Sequence, residues 1–280
     1  MDRFQVAGEL RSVQVGQLRV SYVPDGAVKM VPGFLFPTTT GEDWTAGAHY
    51  LDADGWLTVS SGGLLVERGE RAILLESGYG PHPEPVSSPE NGMALMYGGA
   101  FVDNLRKLGR EPVEIEAIAI SHLHLEHFGW AAQPEFARAE VLLSEAEWAA
   151  REAGFGVTPE VVAALAPRFR AIADGDEFFP GVTALALPGH TAGQTGFWLD
   201  GGDGARLLVF ADVMHSPIQV THPEWPLIGE PDPQRSEQTR REILTHLADG
   251  STIGLGIHFA DARFGRARET VEGLAWEPLP

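Results

Sequence analysis

His122, His124, Glu126 and His127 place three imidazoles and a carboxylate within six consecutive residues. In extended backbone, residues two apart project to the same side, so His122 and His124 can grip one ion together. Glu126 and His127 leave on different vectors and can serve a second ion. Neutral imidazole and carboxylate suit borderline divalent metals, zinc first, with manganese, iron and cobalt as alternatives. Any one of these histidines alone would read as a surface or core residue. Three so close, with an acid among them, are hard to explain by packing. The apolar stretch 115–120 directly before them reads as a buried strand. Such a strand would deliver the histidines at its end, where open sheets place their sites.

The segment resembles the His-x-His-x-Asp-His signature of the metallo-β-lactamase superfamily, with Glu126 standing where the signature has Asp. Pro188, Gly189, His190, Thr191, Ala192 and Gly193 are similar to that family's Pro-Gly-His-Thr-x-Gly turn, whose histidine is a ligand. Asp212, after the apolar 207–209, matches its bridging aspartate, and His258, after 253–257, its last histidine. Upstream, the segment ending Glu76-Ser77-Gly78 resembles the family's Leu-Val-Asp-Thr-Gly, again with Glu for Asp. The likeness spans roughly residues 20 to 270. Residues 212–219, the helix 236–247 and Phe264-Gly265-Arg266 resemble the branch that contains methyl parathion hydrolase and quorum-quenching lactonases.

The resemblance implies an α+β fold, a four-layer αββα sandwich. It also implies one ion on His122, His124 and His190, a second on Glu126, His127 and His258, and Asp212 between them. Glu76 would stand behind the ligands. A bound divalent ion lowers the pKa of its water toward neutrality, so hydroxide becomes available to attack a carbonyl or phosphoryl centre. The expected activity is hydrolysis of an ester, lactone, thioester or phosphotriester, with Asp212, Glu126 and His215 as catalytic candidates. His215 lies three residues beyond Asp212 and is expected to bond substrate or orient a ligand. Competing expectations are redox chemistry at an iron-loaded centre and a catalytically weak binding protein whose second ion site Glu126 has damaged. Glu reaches about 1.5 Å further than Asp, so the number of ions, one or two, stays open.

Composition narrows the field. Net charge is −19, from 39 acids against 20 bases. No basic footprint exists to displace counterions from phosphate, which disfavours nucleic acid and anionic membrane as partners. With no cysteine, disulfides, thiolate nucleophiles and thiolate ligands are all excluded. The first residues lack a hydrophobic core with a cleavage site, and no run of about 18 apolar residues exists; a cytoplasmic location is expected. No Gly-x-Ser-x-Gly elbow is present. The expected partner is an uncharged, partly apolar small molecule, and a homodimer is compatible with the sequence.

The elements that must position these residues follow from pattern. No linker divides the chain, so residues 1–280 read as one domain. Strands are expected around 13–15, 18–22, 64–66, 73–75, 115–120, 141–143, 182–187, 195–199, 206–211 and 253–257. Asp25-Gly26 reads as a turn, and 32–62, with its prolines and threonines, fits no regular element. Helices are expected at 101–108, 145–152, 159–173 and from Asp232-Pro233 to Leu247. Ser144 and Glu147 form the Ser-x-x-Glu pattern of a capping box. Phe128, Trp130 and Trp225 are candidates for an apolar pocket lining, and Phe34, Leu35, Phe36 and Trp44 for a cover over the site. His49, His82, His222 and His246 lack metal-like neighbours.

Overall fold

The structure is a computed structural model that describes residues 2–202, 204–271 and 273–280. Its strands form two sheets. The first has the order β5-β6-β2-β3-β4-β7-β8-β9, with β1 beside β2. It comprises β1 (Arg11–Val15), β2 (Leu18–Met30), β3 (Leu57–Arg68), β4 (Arg71–Leu75), β5 (Val86–Ser88), β6 (Met93–Tyr97), β7 (Ala117–Ala119), β8 (Glu140–Ser144) and β9 (Phe169–Ile172). The second runs in chain order through β10 (Glu177–Phe179), β11 (Val182–Ala186), β12 (Thr195–Asp200), β13 (Arg206–Val209), β14 (Ile253–Leu255), β15 (Phe264–Thr270) and β16 (Gly273–Pro278).

Alternation along the strands decides the layers. Ile73 and Leu75 of β4 point inward, with Leu207 and Val209 of β13, into a core shared by both sheets. Ala72 and Leu74 point outward, onto α3 (Phe101–Lys107) and Phe128 of α4 (Leu125–Phe128). On the other side, Leu208 and Phe210 pack against Ile243, Leu244 and Leu247 of α8 (Pro233–Leu247). Helix, sheet, sheet, helix is the expected αββα order. Each fully buried Leu or Phe in these layers contributes about 2 kcal/mol.

Several expectations fail, each for a visible reason. Asp25-Gly26 is no turn: β2 passes through it with an irregular register between Pro24 and Gly26. The Asp25 side chain is folded inward and accepts from the backbone N–H groups of Tyr79, Gly80, Gly99 and Phe101 and from Trp130 Nε1. Residues 32–62 hold two short helices, Pro32–Leu35 and Gly41–Ala46, and the first half of β3. The helix expected at 159–173 stops at Leu165, and after Pro167 the chain turns extended to pair as β9, parallel with β8. The helix expected at 145–152 is regular only over α5 (Glu145–Ala149). The hairpin β15–β16 has no counterpart in the sequence reading; its Trp276 covers Gly254 and Gly265.

Candidate functional site

Three strands end alike. His122 follows Ala119 of β7 by three residues, as Asp212 follows Val209 of β13 and His258 follows Leu255 of β14. β7 runs parallel with β4, and β14 parallel with β13, so these side chains gather at the carboxyl ends of both sheets. His124 ends the extended stretch, α4 then carries Glu126 and His127, and His190 stands on the turn between β11 and β12.

The gathered side chains form two groups of ligand atoms, each within 4.8 Å of one another: His122, His124, His190 with Asp212, and Glu126, His127, His258 with Asp212. Asp212 divides its oxygens between them. Its Oδ2 lies 3.6 Å from His122 Nε2 and 3.5 Å from His190 Nε2, while Oδ1 lies 3.3 Å from His127 Nε2 and 3.1 Å from His258 Nε2. All expected ligand positions, 122, 124, 126, 127, 190, 212 and 258, therefore meet in one place. His215 joins them, with Nε2 2.9 Å from Asp212 Oδ2 and its ring stacked on His258.

A second set of groups orients the imidazoles. His258 Nδ1 donates to the Ser60 carbonyl at 2.7 Å, which turns its Nε2 toward Asp212. Glu76 Oε2 lies 3.3 Å from His127 Nδ1, and Glu76 Oε1 accepts from Ser121 N. His122 Nδ1 meets Ser121 Oγ at 2.9 Å. Among the described residues, Glu76, Ala211 and Ala260 are the non-glycine residues with positive φ, at 65°, 46° and 44°. Glu76 faces a ligand, Ala211 precedes Asp212, and Ala260 follows His258 by two residues. Backbone held in this region stores strain, and such strain clusters at functional sites.

Charge in the centre is tightly balanced. Burial pushes the Asp212 carboxyl up, but the facing His127, His258, His215 and His122 outweigh it and hold it well below the usual carboxylate range. Burial alone would make His127 a poor base; Asp212 and Glu76 on either side overturn that and raise it well above the usual histidine value. His258 is raised in the same way, burial being outweighed by Asp212. Burial keeps His122 and His190 well below it. Buried carboxylates so arranged favour a cation. His122 Nε2, His127 Nε2 and both Asp212 oxygens are buried without a hydrogen-bond partner, a cost of about 1–3 kcal/mol for each group that coordination removes. The residues fit a centre for one or two divalent ions.

A cavity of about 580 Å³ opens onto His124, Glu126, His190, His215 and His258. Its remaining wall is largely apolar, with Met30, Met93, Met96, Leu35, Phe155 and Leu227. Here the aromatic expectations need correction. Phe128 and Trp130 belong to the helix-covered core outside the first sheet, and Trp225 packs on Phe36 and Trp44. Of the expected cover, Leu35 lines the cavity. His49, His82, His222 and His246 belong to neither ligand group. Glu147 was missed as a site residue. Ser144 does cap its N–H, but the carboxylate turns away from the cap and accepts from Leu123 N, Thr191 Oγ1 and Gly193 N. The Ser-x-x-Glu pattern concealed it, because half of the capping box is real.

Residues 60–251 match the family model described as metallo-beta-lactamase superfamily. The chain is 25% identical over 189 residues to an N-acyl homoserine lactonase of Bacillus sp, covering 61% of this chain and 74% of that protein. It is 24% identical over 190 residues to N-acyl homoserine lactonase AiiA of Bacillus thuringiensis subsp. kurstaki, with the same coverage. Among solved structures, the dizinc quorum-quenching lactonase AidC in complex with a product superposes with a TM-score of 0.82 at 20% identity, covering 99% of both chains. The hydrolase AbOPH of the beta lactamase superfamily gives 0.78 at 22% identity, again over 99% of both.

Proposed function

We propose a lactone-opening activity for this chain, which belongs to the metallo-β-lactamase superfamily. The hydrolase class expected from the sequence stands; within it the proposed substrate is a lactone bearing an apolar acyl chain, with N-acyl homoserine lactones in first place. One observation carries this choice. The same cavity is lined both by metal-ligand side chains with His215 and by a wall rich in methionine and leucine. A compact polar ring and a flexible apolar tail match those two kinds of lining. The relatives named N-acyl homoserine lactonase support the reading.

In this proposal His122, His124 and His190 would hold one divalent ion, Glu126, His127 and His258 another, and Asp212 would face both. Zinc is the ion proposed, since imidazole and carboxylate suit it. Such ions, when bound, supply Lewis acidity and water that ionises near neutral pH. The chain's own part is placement. Asp212 aligns the two ligand groups, and Glu76 and the Ser60 carbonyl fix the imidazole orientations behind them. His215, lining the cavity beside Asp212, is assigned to hydrogen-bond the substrate's acyl oxygen. Water adds across the ring's C–O bond, and the product is an open hydroxy acid.

Because both sheets contribute ligands, the 280 residues are taken as one functional unit. A cytoplasmic setting, a homodimer and the lack of a nucleic-acid partner belong to the same proposal, the last supported by the net charge of −19. No helix among the described residues is long and apolar enough to cross a membrane.

Each ring opening releases about one proton at neutral pH, since the product acid ionises far below it. Proton release from N-hexanoyl- and N-decanoyl-homoserine lactone, γ-butyrolactone, a phosphotriester and an aryl ester therefore tests the substrate. The proposal predicts the highest kcat/KM on the acylated lactones. A phosphotriester or aryl ester preferred over every lactone contradicts it.

A further inference from the structure

We infer that Glu147 is a positioning residue that locks together the two loops supplying His122, His124 and His190, and thereby sets the affinity of that ion site alone. The inference rests on the metal-centre reading. Glu147 belongs to α5, outside both ligand loops, and is buried at 4% exposure. Each loop receives one carboxylate oxygen. Oε1 accepts from Leu123 N at 2.9 Å, between His122 and His124. Oε2 accepts from Thr191 Oγ1 at 2.7 Å and from Gly193 N at 3.2 Å, directly after His190. The carboxylate is thus a bridge of fixed width between two loops 66 residues apart in sequence, whose histidines meet at 3.1 Å, His190 Nε2 to His124 Nδ1.

The surroundings are built for this bridge. Ser144 Oγ, which accepts from Glu147 N, donates to the Gly193 carbonyl at 2.7 Å and holds the start of α5 on the same turn. A Cβ on Gly193 would sit 2.3 Å from Glu147 N, so a bare glycine is what lets the turn seat against the helix. A helix cap needs no such burial of its carboxylate. Burying a carboxylate is costly unless donors meet it, and here every donor comes from a ligand loop. The other group is held by separate parts, Glu76 on His127 and the Ser60 carbonyl on His258.

Division of support predicts division of effect. Metal-free protein is titrated with Co²⁺ and followed by its visible absorption, with His124→Ala and His258→Ala assigning the two binding steps. Glu147→Gln keeps the shape but turns an amide toward the Thr191 and Gly193 donors. It should weaken the step that His124→Ala removes on the order of 10–100-fold, the usual effect of losing a group behind a ligand. The step that His258→Ala removes should stay within about 3-fold, on the same scale. Thr191→Val, which deletes one arm and disturbs packing least, should weaken the same step by less. Equal weakening of both steps, or no change in Glu147→Gln, overturns the inference. Wild-type protein that binds no Co²⁺ fails at the prior point and overturns the metal-centre reading itself.

Discussion

At the scale of single residues, the Glu126 substitution for the family's Asp poses the sharpest question. Read from sequence, the longer side chain either damages the second ion site or serves as a competent ligand. The fold brings its carboxylate into one group with His127, Asp212 and His258, and Glu76 supplies a second long acid on the far side of His127. We read the two glutamates as a matched set. Glu126→Asp should lower bound zinc from about two ions per chain toward about one, the two-metal arrangement being the reference. Zinc analysis after dialysis checks this; unchanged zinc with raised affinity in the Asp variant would show that Glu126 is the weak ligand. The ligands were legible because their type and spacing are rare together. Glu147 was not, since its partners lie in loops far along the chain and its local pattern already had an explanation.

Among the elements, short strands with buried ends do the positioning, and the turns after them must be sterically exact to a few tenths of an ångström. Gly129 shows how little room is left. It follows α4 directly, its N–H donates to the Gly78 carbonyl, and a Cβ there would lie 2.1 Å from the Tyr79 carbonyl. Gly129→Ala must push α4, with Glu126 and His127, off the Gly78–Gly80 turn. Overpacking of this kind costs about 1–3 kcal/mol, so thermal unfolding should drop by about 2–5 °C for a chain of this size. An unchanged melting temperature would mean that the turn yields freely. Strands and amphipathic helices were legible from period alone. The irregular stretches were not: Asp25 reads as turn chemistry until five donors from distant loops are seen converging on it. The helix from Pro159 stops at Leu165, two residues before Pro167, and the chain beyond gains a ladder with β8.

Taken as a whole, the molecule joins its N-terminal segment to the loop that follows His258. Asp261 receives Arg3, Arg11, Arg263 and the Glu9 N–H, and the Arg263 guanidinium carbon sits over Tyr22, 3.6 Å from the ring centre. Burial pushes the Asp261 carboxyl up, but the Glu9 N–H and the three guanidiniums outweigh it and hold it below the usual range. A depressed folded pKa stabilises above the unfolded value of about 3.9, and that contribution disappears as pH falls through the folded value. Asp261→Asn should therefore melt earlier than wild type at pH 7, because three guanidiniums lose their shared carboxylate. The gap should close below about pH 4. A gap that stays constant from pH 7 to the acid limit of folding would assign the loss to packing. None of this network was legible in sequence, because its members lie at opposite ends of the chain.

The central claim is that lactone opening depends on divalent ions held around Asp212. Its most direct measurement is the rate of N-hexanoyl-homoserine lactone opening by one protein sample in three states: as purified, after chelator and dialysis, and after zinc is returned, with Asp212→Ala carried alongside. Wild-type activity should disappear with the metal and return with zinc, and Asp212→Ala should show neither bound zinc nor activity at any stage. Ring opening at an undiminished rate by the metal-free wild type, or by Asp212→Ala, would contradict it.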